Sequence, residues 1–354
     1  MSLIYKKVLV IGATSGIGEA LAAKLVDNGT KVIVSGRRQD KLAAFVSKHG
    51  KDKAEAIAFD ITKLDAIPQL AADVTKAHPE LARVILNSGI QRGFDFTKPA
   101  NIDLSTLGEE LTTNHLSFVH LTVAFLPHLQ KHKNETALIY TTSGLGLVPM
   151  VRCANYCATK AALHHFILVL REQMSDGPGN VKVIEIFPPA VQTELHDEKH
   201  QPDIKNGGQI GMPLDEFTDE TYKGLLGGKD QIPVGMSKGA FEGFELKWQE
   251  IFKRMTEGMK KMMAQHSRNL PTRYTHYFRN VLVSPASDLN KIPQRMNSPA
   301  SDVMCGLLKD QLLKNAALQA SANVHPVTET PTDSLVGYSF ACPRRSETKY
   351  RNAK

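Results

Sequence analysis

Short apolar runs rich in β-branched residues recur along the chain near residues 7–12, 31–35, 54–59, 83–88, 136–142, 181–187 and 231–234. Runs of this length without alternation predict strands buried on both faces. Between them, apolar positions return every three or four residues near 17–28, 39–48, 64–76, 104–131, 153–175 and 214–227. That is the period of amphipathic helices. Strands alternating with helices predict an α/β fold, a parallel sheet covered by helices on both faces. Ligands of such sheets bind beyond the carboxyl ends of the strands, so chemistry is expected in the loops there.

The pattern changes after residue 237. Phe241, Phe244, Trp248, Ile251, Phe252, Met255, Met259 and Met262 fall at helical spacing, with Lys253, Arg254, Lys260 and Lys261 beside them. This basic amphipathic helix is expected to pack on the core or on a partner subunit; contact with a membrane surface is the less favoured alternative. Beyond residue 265 prolines, serines and asparagines rise, and Ser-Pro-Ala-Ser-Asp occurs at 284–288 and 298–302. The expected organisation is therefore a catalytic domain over 1–237, the amphipathic helix over 238–265 and a basic, largely disordered tail over 266–354.

Two segments carry recognisable chemistry. The first strand runs into Gly12-Ala13-Thr14-Ser15-Gly16-Ile17-Gly18, after which a helical period begins at Ile17, Leu21 and Leu25. A glycine turn between strand and helix lets phosphate oxygens reach main-chain N–H groups at the positive helix end. Gly12, Ser15, Gly16, Ile17 and Gly18 are thus candidate dinucleotide contacts. The second strand ends at Gly36-Arg37-Arg38, with no carboxylate to hold ribose hydroxyls. Arg37 offers a planar donor fork suited to a 2′-phosphate, which favours NADP over NAD.

The second segment is Asn155-Tyr156-Cys157-Ala158-Thr159-Lys160, with Ser143 upstream. Four residues is about one helical turn, so phenol and ammonium share a face. A neighbouring positive charge is expected to pull the phenol down from roughly 10 toward neutrality. A tyrosine tuned in this way exchanges protons with a substrate oxygen, which suits interconversion of alcohol and carbonyl.

With these residues in view, the chain resembles the short-chain dehydrogenase/reductase family in its single-domain form. The resemblance spans roughly residues 5–235. It rests on Gly12-x-x-x-Gly16-x-Gly18, Asp60-Ile61, Asn87-Ser88-Gly89, Asn114, Ser143, Tyr156-x-x-x-Lys160 and the segment Pro188 to Thr193. It implies a Rossmann-like doubly wound parallel sheet of about seven strands, followed here by a C-terminal helical and disordered extension.

The resemblance also implies roles. Tyr156 would be the general acid/base, and Lys160 would lower its pKa and hold the nicotinamide ribose. Ser143 would bond the substrate oxygen, and Asn114 would hold a water linking Lys160 to solvent. Asp60 would reach the adenine, Asn87 the adenosine, and Val191 and Thr193 the nicotinamide amide. A loop over about 191–213 would cover substrate, and the two longest helices would pair subunits into a homodimer or homotetramer.

Three positions depart from the family pattern: Ser88, Ile11 at the start of the glycine turn, and Pro189, whose ring predicts a different local backbone path. The loop histidines His196 and His200 are expected to be solvated. The segment Ser143 to Pro149, taken with Tyr156 to Leu163, looks like a subgroup of largely uncharacterised microbial and fungal reductases, with a ketone of secondary metabolism as one candidate substrate. A binding protein that senses the dinucleotide without turnover is the rival expectation.

Charge and cysteines narrow the picture. Of the formal net +7, residues 251–354 carry 16 Lys and Arg against 7 Asp and Glu, leaving 27 against 29 for the rest. The basic character lies away from the catalytic region, which argues against nucleic acid as a partner. The four cysteines make no metal-ligand pattern, and their small number fits a reducing, cytoplasmic setting. The first strand begins at once, so no cleavable leader is expected.

Overall fold

The computed structural model of the protein describes residues 5–269. β1 (Lys7–Ile11) leads into α1 (Gly16–Asp27), β2 (Lys31–Gly36), α2 (Gln39–His49) and β3 (Ala54–Ala58). Then come α3 (Ile67–Ala77), β4 (Arg83–Leu86) and α4 (Leu104–Leu111), which passes through a π-helical turn (Thr112–Leu116) into α5 (Ser117–Lys131). β5 (Thr136–Thr141), α6 (Ala154–Asp176), β6 (Val181–Phe187), α7 (Leu214–Leu226) and β7 (Gln231–Pro233) follow. The described chain closes with α8 (Ser237–Ala240), a second π-helical turn (Phe241–Glu245) and α9 (Leu246–Asn269).

The seven strands form one parallel sheet in the order β3-β2-β1-β4-β5-β6-β7. After β3 the chain crosses to the other side of β1, so strand order reverses between β1 and β4. Such a reversal leaves a crevice outside the strand ends. Alternation along β1 divides the core in two. Val8 and Val10 pack with Leu21, Phe45 and Phe217 of α1, α2 and α7. Leu9 and Ile11 pack with Ile67, Phe118 and Ile167 of α3, α5 and α6. Each such side chain stabilises the fold by on the order of 2 kcal/mol.

The strand and helix pattern expected from the sequence is present, with one instructive difference. The long helix expected over 104–131 contains the π turn, where the main chain widens by one residue. Asn114 sits inside that turn with its amide bonded to both main-chain groups of Ile90: it accepts from the N–H at 2.9 Å and donates to the carbonyl at 2.8 Å. Fixing a side chain inward in this way shifts the helical register, and π turns often mark functional positions.

The compact unit around the sheet reaches Met259. In the C-terminal helical segment, Phe241 packs on Phe187 with ring centroids 5.4 Å apart, and Trp248 lies 4.8 Å from His165. Further along α9 the apolar stripe leaves the core: Ile251 is 57% exposed and Met255 59%. The tail expected to be disordered lies, from residue 270 on, outside the described residues.

Candidate active site

The glycine turn follows β1 directly. Gly12 takes φ +84°, and a Cβ on Gly18 would sit 2.1 Å from the Gly12 carbonyl oxygen, so both positions exclude a side chain. The N–H groups of Gly12 and Ala13 are held by the Ser35 carbonyl. The first turn of α1 therefore stands open at the carboxyl end of the sheet, where its dipole favours an anion. Asn87 follows β4 and donates to the Gly12 carbonyl at 3.2 Å, while its buried Oδ1 has no protein partner.

Arg38 reaches the glycine turn. Its guanidinium donates to Thr14 Oγ1 at 3.0 and 3.1 Å and to Ser15 Oγ at 2.6 Å. It also pairs with Glu194 at 2.6 and 3.0 Å. Its neighbour Arg37 is the residue expected from the sequence to suit a 2′-phosphate. Arg37 lines the same groove and contributes to the field on Asp60. Burial opposes ionisation of Asp60, but hydrogen bonds from the Thr62 N–H and hydroxyl outweigh it and hold the carboxyl below its ordinary value.

At the other end, β5 delivers Ser143 and α6 delivers Tyr156 and Lys160, all three buried. Ser143 caps the short turn Gly144–Gly146, its Oγ accepting from the Leu145 N–H at 3.0 Å. That turn is fixed by the Gly144 N–H, which donates to the Pro188 carbonyl at 2.8 Å. Pro188 thus braces the serine loop, while Val191 bridges Met212 in parallel fashion.

The spacing of Tyr156 and Lys160 led us to expect a phenol drawn toward neutrality. Burial acts against that pull. Burial pushes the phenol well above its ordinary value, opposed only by the Ser143 hydroxyl, and Cys153, Glu110 and Cys157 add to the rise. The Lys160 ammonium is 5.7 Å from the phenol centroid and donates to the Thr141 carbonyl at 3.0 Å. Burial draws Lys160 itself down to about 8, against the pull of Glu110 and Glu185. Drawn down only to about 8, Lys160 keeps most of its charge at pH 7, so it is burial of the phenol itself that sets the direction.

Several charged groups around this centre had no signal in local spacing. Glu110 is fully buried, accepting from the Arg92 N–H at 2.8 Å and from Asn155 Nδ2 at 2.6 Å. Burial raises its carboxyl. One turn past Lys160, His164 lies between Glu185 at 3.0 Å and Glu245 at 2.9 Å. Burial alone would lower His164, but the two carboxylates raise it to about 9. Glu185 offered one hint, an acid inside the apolar strand β6. Cys153 and Cys157 are free thiols with sulfurs 3.8 Å apart.

A single groove of about 1070 Å³ joins the two ends. It is lined by Gly12, Ser15, Gly16, Ile17, Arg37, Asp60 and Asn87 at one end and by Ser143, Tyr156, Lys160, Val191 and Thr193 at the other. Gly18 and Asn114 stand behind it: Gly18 permits the turn, and Asn114 bonds Ile90 and Thr159. His196 and His200 line the substrate side, and His200 Nδ1 is 2.6 Å from Asp197. The side-chain-free turn, the orphaned Asn87 oxygen and the arginine donors together fit a dinucleotide.

Comparison with known proteins agrees with this geometry. A family model described as short chain dehydrogenase matches residues 6–203. The chain is 33% identical over 255 residues to the uncharacterized oxidoreductase DltE of Bacillus subtilis strain 168, covering 72% of this chain and 98% of that protein. It is 30% identical over 215 residues to the NADP-dependent 3-hydroxy acid dehydrogenase YdfG of Salmonella typhi, covering 60% and 84% respectively. Among solved structures, a short chain dehydrogenase/reductase from Burkholderia phymatum in complex with NAD shares the fold with a TM-score of 0.59. The two are 18% identical, over 72% of this chain and 97% of that one.

Proposed function

Because this chain belongs to the short-chain dehydrogenase family, we propose that it is an NADP-dependent oxidoreductase interconverting a small carbonyl compound and its secondary alcohol. The observation that carries this reading is the single groove joining the glycine turn to Ser143, Tyr156 and Lys160. The nicotinamide, when bound, supplies or accepts the hydride. Tyr156 gives its proton to the substrate oxygen as charge develops there, or takes it back in the reverse direction. Ser143 donates to the same oxygen and stabilises that charge. Lys160 holds the nicotinamide ribose and restores the proton on the phenol, and Asn114 keeps open the route from Lys160 to solvent.

Gly12, Ser15, Gly16, Ile17 and Gly18 form the pyrophosphate turn, Asp60 and Asn87 hold the adenosine end, and Val191 and Thr193 the nicotinamide amide. The preference for NADP over NAD rests on Arg38 and Arg37 at the end of β2, a segment, Gly36-Arg37-Arg38, that carries no acid of its own for a ribose hydroxyl. The NADP dependence of the Salmonella relative supports the same choice. The free thiols Cys153 and Cys157 suit a reducing cytoplasm.

Substrate candidates are 3-oxo acids, suggested by that relative, and ketones of secondary metabolism. The test is NADPH oxidation against a panel of both classes. Tyr156→Phe should abolish turnover while leaving the NADPH dissociation constant within about twofold, since only the transferable proton is removed. Near-full activity in this variant would sink the mechanism. Tight NADPH binding without turnover on any ketone would instead favour a redox-sensing role, for which the exposed apolar face of α9 offers a contact surface.

A further inference from the structure

Glu194 opens the short helical turn that follows Thr193, on the segment carrying the substrate side of the groove. Its carboxylate does not face solvent alone. It is hydrogen-bonded by the Ser15 hydroxyl and gripped by Arg38 at 2.6 and 3.0 Å. The same guanidinium holds Thr14 Oγ1 at 3.0 and 3.1 Å. The Arg38 guanidinium and the side-chain hydroxyls of Thr14 and Ser15 form an anion cradle at the end of β2, beside the main-chain turn, and in this structure the anion is the protein's own. The bridge also crosses between the glycine turn and the segment after Val191, and both walls line the groove.

We propose that Glu194 is a cofactor-selectivity residue, a built-in carboxylate that competes with the 2′-phosphate of NADP for Arg38. NADP must part the Arg38–Glu194 pair to gain its strongest partner. NAD carries no 2′-phosphate and leaves the pair closed. The inference rests on the groove being a nicotinamide dinucleotide site, as proposed above.

Magnitudes favour attenuation over blockade. The Arg38 and Glu194 side chains are 36% and 37% exposed, so solvent weakens their attraction. A phosphate monoester carries about −1.5 to −2 charges near neutrality against one for the carboxylate, and it accepts through three oxygens. The phosphate therefore wins the guanidinium, but its apparent affinity is reduced by the fraction of molecules whose pair is closed.

The test is calorimetric binding of NADPH and of NADH to the full-length wild type, Glu194→Gln, Glu194→Ala, Arg38→Ala and the double variant Arg38→Ala with Glu194→Gln. Both Glu194 variants should tighten NADPH by about twofold to fivefold and change NADH by less than about twofold. In the Arg38→Ala background, Glu194→Gln should add nothing further, because the two residues act through one contact. NADPH affinity unchanged by either Glu194 variant would overturn the competition. Weakened NADPH binding would also overturn it, by showing that the bridge straps the cofactor in place. A wild type that binds neither dinucleotide would fail the underlying reading instead, a distinct result.

Discussion

With Tyr156 held above the usual phenol range and Lys160 drawn down only to about 8, the phenol is protonated through the neutral range and the lysine still mostly charged at pH 7. A protonated tyrosine is ready to act as an acid, the role needed when a carbonyl is reduced. The buried His164 behaves oppositely to Lys160. Raised to about 9 from an ordinary value near 6.5, it binds more protons folded than unfolded. Its contribution is complete below about 6.5 and is lost as pH rises through about 9. Lys160 binds fewer protons folded, so above about 8 it contributes a gain that offsets this loss. Between pH 6.5 and 8, His164 acts without that offset, and the melting temperature should fall. Glu245→Gln removes one of its two partners and should flatten the fall, as read by thermal melts of both proteins at the two pH values.

Elements place these residues with differing legibility. The strands could be read because β1, β2 and β4 carry uninterrupted runs of Val, Ile and Leu, and α6 because Tyr156 and Lys160 repeat at one turn. The glycine turn was equally plain, and Gly18 shows why. Gly18→Ala would drive a methyl to 2.1 Å from the Gly12 carbonyl oxygen. It should cost about 1–3 kcal/mol of stability and abolish dinucleotide binding, measurable by chemical denaturation and by calorimetry. Other features had no local signature. Which of two adjacent arginines reaches the glycine turn depends on contacts of Arg38 with Thr14, Ser15 and Glu194, none of them near in spacing to the end of β2. The π turn at Asn114 depends on Ile90, twenty-four residues away. Glu110 and Glu245 find partners across the fold, and no periodicity marks an acid that will be buried.

For the whole molecule, the exposed apolar residues suggest subunit contact. Val123 on α5 is 66% exposed and Val169 on α6 46%, on the two long helices expected to pair. We expect a homodimer or homotetramer, so light scattering after size exclusion should give two or four times 38.9 kDa. Val123→Glu should shift the mass downward, and an unshifted mass would place the interface elsewhere. The parallel topology also sets an order on assembly. Val8 in β1 pairs with Arg83 in β4, and β6 must wait for Gln231 before its outer edge is covered. A nascent chain emerging from the ribosome therefore holds a half-built sheet with open edges until most of it has been translated, and nothing local can close them sooner. Slow folding, with strand edges exposed meanwhile, is the expected consequence of gathering so many distant loops at one end of a single sheet.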